Sequence, residues 1–84
     1  MWYAERFLLA DGASVEIALA RSPGHLAYRL RYGRPGAWRV SYGNEGGKGH
    51  RRSAGGRASR YEFRSVEQLR YDFERDVAQA RHQG

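Results

Sequence analysis

Three successive stretches of this chain alternate apolar and polar residues at every second position, which restricts them to half-buried antiparallel strands. Val15, Ile17 and Leu19 mark one face of Ser14 to Ala20, and Leu26, Tyr28, Leu30 and Tyr32 mark one face of His25 to Gly33. Trp38, Val40 and Tyr42 repeat the pattern after the next turn. A period of two sends successive side chains to opposite sides of a pleated strand, so each stretch offers one face to a core and one to water. Asp11-Gly12, Ser22-Pro23-Gly24 and Arg34-Pro35-Gly36 separate the stretches with turn-forming residues. Trp2 to Ala10 reads as a strand before them, and Ser59 to Arg64, with Tyr61 and Phe63 on one face, reads as a fifth behind them.

The period changes at Ser65. Ser65-Val66-Glu67-Gln68 fits a capping box, in which the serine oxygen serves a first-turn amide and Gln68 reaches back. Val66, Leu69, Phe73, Val77 and Ala80 then recur at steps of three and four, placing one apolar stripe on a helix whose solvent side carries Glu67, Asp72, Glu74 and Asp76. The expected fold class is α+β: a four- to five-stranded antiparallel meander with one C-terminal helix packed on one face. Eighty-four residues suit a single domain spanning 1–84. One helix covers one face, so the face bearing His25, Arg29, Arg31, Arg39, Ser41, Arg60, Glu62 and Arg64 is expected to be open to water.

Charge gives that open face a meaning. The chain has 15 Lys+Arg against 9 Asp+Glu, and every one of those cations except Lys48 is arginine. Residues 21–64 carry only Glu45 and Glu62 as acids, whereas residues 1–20 and 65–84 are each net acidic. Arginine presents a planar fork of donors to phosphate and stacks on bases, so a cationic middle segment reads as a nucleic-acid footprint. The absence of cysteine excludes disulfides and thiolate metal sites, and His25, His50 and His82 lack metal-ligand spacing, so no cofactor is expected. The longest apolar run, Phe7 to Ala10, is too short for a membrane span, and a cytoplasmic protein without membrane attachment is expected.

Alternation stops between Gly43 and Ala58, where six of sixteen residues are glycine and Lys48, His50, Arg51, Arg52 and Arg57 are interleaved with them. This reads as a long basic loop. Gly46-Gly47-Lys48-Gly49 lacks the spacing and the Ser or Thr of a nucleotide-binding P-loop, but glycine-loop amides beside cations can wrap a nucleic-acid phosphate. His50 between Lys48 and Arg51 places a proton carrier among cations that stabilise a pentacovalent phosphorane, the combination needed for metal-free RNA cleavage through the 2′-hydroxyl.

A family resemblance joins these segments. His25-Leu26-Ala27-Tyr28-Arg29-Leu30-Arg31-Tyr32-Gly33, Tyr42-Gly43-Asn44-Glu45-Gly46-Gly47-Lys48-Gly49-His50-Arg51-Arg52, Tyr61-Glu62-Phe63 and Ser65-Val66-Glu67-Gln68-Leu69 together resemble the TumE-like toxins of prokaryotic toxin–antitoxin pairs. The likeness runs from Leu9 to Val77, and departs from the family's loop where Gly43 replaces an Asp, a second Asp is missing and Arg52 replaces a His. It implies His25, Tyr42, Asn44, Lys48, His50 and Arg51 as motif residues. It also implies a toxin that acts on RNA or translation, ribosome-associated mRNA included, and is neutralised by a co-encoded helix-turn-helix antitoxin.

The leading expectation is a metal-independent endoribonuclease. His50, Lys48 and Arg51 would be catalytic, and Arg29, Arg31, Arg39, Arg52, Arg57, Arg60 and His25 would bind RNA. The alternatives are a non-catalytic nucleic-acid-binding module, favoured by the missing Asp and His, and a basic docking surface for an acidic protein.

Overall fold

The structure, a computed structural model, describes residues 2–45 and 49–82. The elements in chain order are β1 (Trp2–Leu8), β2 (Ser14–Ser22), β3 (His25–Arg34), β4 (Ala37–Gly43), β5 (Arg51–Ala54), β6 (Arg57–Arg60) and α1 (Val66–His82). The strands form one antiparallel sheet in the order β1-β2-β3-β4-β5-β6, so every neighbour in space is a neighbour in sequence. The fold is α+β, a meander with one C-terminal helix.

Six strands replace the expected four or five because half of the glycine-rich segment pairs. Arg51–Ala54 and Arg57–Arg60 form a hairpin about Gly55-Gly56, both at positive φ as a tight two-residue hairpin turn requires. The expected strand from Ser59 to Arg64 is displaced: β6 ends at Arg60. Tyr61 and Phe63 instead leave the sheet and pack beside the core, with the Tyr61 amide donating to the His50 carbonyl at 3.0 Å.

Ile17, Tyr28, Leu30, Tyr32, Val40 and Tyr42 form the sheet side of the core, and Leu69 and Phe73 form the helix side. Apolar transfer contributes ~1.5–3 kcal/mol for each fully buried large side chain, and this layer is what holds α1 against the strands. Ser65 caps the helix as expected, its Oγ accepting from the Gln68 amide at 3.0 Å. The reciprocal half of the box is absent, because the Gln68 side chain donates to Asp72 at 2.9 Å.

Two face assignments are corrected. Asp72 and Asp76 face the sheet, not solvent, and both are buried. They fall one helical turn apart, beside Leu69 and Phe73, and donors reach both: Tyr61, just past β6, donates to Asp72 at 2.6 Å, while Arg52 and Tyr42 of the sheet donate to Asp76. Trp38 and Arg39 exchange sides. The β3–β4 register shifts between Tyr32 and Gly33, which pairs Gly33 with Trp38 and leaves Arg39 as the extra residue of a bulge. Trp38 then lies under Arg31, whose guanidinium carbon is 4.4 Å from the ring centre, whereas Arg39 reaches across α1 to the Ala80 carbonyl at 2.8 Å. Gly33 permits the bulge: its φ is +140°, and a Cβ there would stand 2.8 Å from both the Ala37 oxygen and the Arg39 nitrogen.

Candidate nucleic-acid interface

Strand register builds a cationic row on the face that α1 leaves open. Arg29 pairs with Gly43, Gly43 with Arg51, and Arg51 with Arg60, so three arginines line up across β3, β5 and β6 with a glycine at β4. All three are exposed. Strands lie ~4.8 Å apart, so the row spans about 15 Å, enough for two or three consecutive phosphates of a single strand. Gly43 leaves the middle of the row without a side chain. Arg29 is 3.5 Å from the Glu45 carboxylate, an exposed pair that a phosphate can replace at little cost.

The neighbouring row is less available. Arg31 pairs with Ser41, Ser41 with Ser53, and Ser53 with Ala58, giving a floor of small residues beside the arginines. Arg31 itself donates to Glu16 at 2.6 Å and stacks on Trp38, so its charge is largely answered within the fold.

His50 occupies the adjoining end of the sheet. It immediately precedes Arg51, yet the period of two turns it toward the core side. Its ring lies nearly parallel to Phe63 at 5.3 Å and to Tyr28 at 5.6 Å, and its Nδ1 is 2.8 Å from the Tyr28 hydroxyl. Tyr28 is 1% exposed, and burial pushes its phenol up to about 12, so it stays protonated through the neutral range. Asn44 secures the same tyrosine from the other side of the loop, accepting from the Tyr28 amide at 2.9 Å and donating to the Leu26 carbonyl at 2.6 Å. Tyr28 thus ties together the residues that bracket the glycine segment, and orients the imidazole with Nε2 as its remaining nitrogen. A cleft of about 400 Å³ opens there, lined by His25, Leu26, Asn44, His50 and Phe63.

The remaining expected site residues divide between surface and scaffold. Arg57 is exposed at the β5–β6 turn, and His25 is exposed at the start of β3. Arg52 lies on the helix side, donating to Asp76 at 2.7 and 3.0 Å and to the Tyr42 hydroxyl at 2.9 Å. This pairing holds the Arg52 guanidinium above its ordinary pKa. Tyr42 is buried in the same network, where burial and the Asp76 carboxylate push its phenol up to about 12. Lys48, Gly46 and Gly47 lie outside the described residues. Among the described residues no cluster of His, Cys, Asp or Glu has the arrangement of a metal site.

Three participants lie outside the sequence-based site: Tyr28, Asp72 and Asp76. Tyr28 reads as core by its alternation, and nothing in one dimension distinguishes a core tyrosine from one holding an imidazole. Asp72 and Asp76 did leave a signal: each sits three residues after a member or neighbour of the apolar stripe, and carboxylates at such positions are buried only when donors face them. No family model matches the chain, and no curated protein or solved structure is significantly similar to it.

Proposed function

We propose that this protein binds RNA across the open face of its sheet and cleaves it at His50 without a metal, as the cytoplasmic toxin of a toxin–antitoxin pair. The observation that carries the reading is the in-register row Arg29–Gly43–Arg51–Arg60 on the face without a helix. His50 immediately precedes Arg51 of that row but turns its ring to the core side, so a strand held on the row would reach the His50 cleft by passing round the end of the sheet. An imidazole held by a buried phenol has the base–orienter geometry of acid–base sites. The resemblance of its loop and last helix to TumE-like toxins supports the biological setting, including a helix-turn-helix antitoxin as the neutralising partner.

A second reading is a non-catalytic RNA-binding module. The packing of His50 against both Tyr28 and Phe63, which also touch each other, favours it, since those contacts alone account for the ring's position. Incubating end-labelled single-stranded RNA with the protein in EDTA separates the two. Cleavage abolished by His50→Ala, with affinity kept, supports the nuclease; binding without cleavage leaves the module.

A further inference from the structure

His50 supplies one ionisable group, but metal-free cleavage of RNA needs two: one removes the 2′-hydroxyl proton while another protonates the departing 5′-oxygen. A second histidine, His25, also lines the cleft beside His50. His25 stands at the start of β3, just after the turn at Gly24, which has a φ of +72°. His25 and His50 line the same cleft of about 400 Å³, a volume suited to one nucleotide. Leu26 and Phe63 supply apolar wall for a base or ribose, and Asn44 fixes the position of the floor. The two histidines reach the cleft from separate parts of the chain, one at the start of β3 and one just before β5.

We infer that His25 and His50 form the general acid–base pair of the proposed cleavage, with the scissile nucleotide seated between them; this rests on the nuclease reading above. One imidazole takes the proton from the 2′-hydroxyl as that oxygen bonds to phosphorus. The bond from phosphorus to the 5′-oxygen breaks, and the other imidazolium gives its proton to that oxygen. The products are a 2′,3′-cyclic phosphate and a 5′-hydroxyl, and proton exchange with water restores both rings. Among the described residues, the ionisable groups beside the pair are Tyr28 against His50, and Arg21 and Glu67 in the depression adjoining His25.

The test is the pH–rate profile of wild type, His25→Ala, His25→Gln and His50→Ala on one labelled oligoribonucleotide in EDTA, with fold checked by thermal melting. His25 is exposed, so its variants should melt as wild type does. Wild type should give a bell-shaped profile and cyclic-phosphate ends by mass spectrometry. Each His25 variant should lose one limb of the bell and ~10²–10³-fold in kcat/KM, and His50→Ala should lose the other limb, while RNA affinity stays within about threefold throughout. Wild-type cleavage with His25 variants that keep both limbs and the full rate would overturn the pair and leave the nuclease reading intact. Wild type that binds RNA but leaves it whole would overturn both.

Discussion

At the scale of single residues, two positions govern which side chains reach which face. Gly33 carries the bulge that sends Trp38 under Arg31 and Arg39 over the helix end. Gly33→Ala forces a Cβ into backbone atoms 2.8 Å away at a φ of +140°, and should cost on the order of 2–3 kcal/mol in denaturant unfolding. Asp76 is the second. Burial alone would raise its pKa, but hydrogen bonds from Arg52 and Tyr42 outweigh burial and hold the carboxyl below its ordinary 3.8. A carboxyl depressed by folding contributes stability that is complete above its unfolded value and lost as pH falls through its folded one. Acid unfolding should therefore steepen below about pH 4, and Asp76→Asn should flatten that slope. Asp76→Ala should cost about 3 kcal/mol at neutral pH, the low end for a broken buried pair because Arg52 keeps a 35% exposed side chain.

At the scale of elements, the helix and the hairpin illustrate opposite relations between sequence and structure. Helix α1 announces itself by a serine cap and a repeating stripe, and its start follows from the cap. Phe73→Ala removes the middle of the stripe and should cost ~3–5 kcal/mol, enough to unfold much of a small domain. Ser65→Ala removes only the cap bond and should cost about 1 kcal/mol. Circular dichroism melts of both variants would separate the two magnitudes. The β5–β6 hairpin has no comparable signature. Arg51 to Arg60 contains no apolar alternation, since one of its faces is solvent and the other carries Arg52, Ser59 and Arg57. It forms because the edge of β4 offers unpaired amides and carbonyls and because Gly55-Gly56 can turn. Its arginines also protect the new edge, as cationic side chains on a short terminal strand discourage further pairing. Pairing of backbone groups is indifferent to side-chain pattern, which is why no alternation marks this hairpin in the sequence.

At the scale of the whole molecule, the sheet sorts cations into working and structural sets. Among the described residues, Arg29, Arg51 and Arg60 have no buried partner and lie exposed on the open face, whereas Arg52 and Arg39 are engaged with α1. Three phosphate contacts predict that log affinity for single-stranded RNA falls with log salt at a slope near −2. The double variant Arg29→Ala, Arg60→Ala should reduce that slope to about −0.7 with little loss of stability. Arg52→Ala should do the reverse, keeping the slope and lowering the unfolding midpoint. Fluorescence anisotropy across a salt series, beside thermal melts, would read both. An unchanged slope in the double variant would remove the row from the interface.

The features written into the chain are local: strands where apolar residues alternate, a helix where they recur at three and four, turns where glycine and proline stand. These depend on contacts between near neighbours, and the periodicity of the backbone prints them on the chain. The tertiary structure decided which charges are spent and which remain. One extra residue in β4 reversed the sides of Trp38 and Arg39, and one helical turn brought Asp76 against Arg52. Register placed Arg29, Arg51 and Arg60 in a single row although 31 positions separate the first from the last. Such partnerships depend on register and on which atoms lie across a strand or beneath a helix, quantities that no period within a segment encodes.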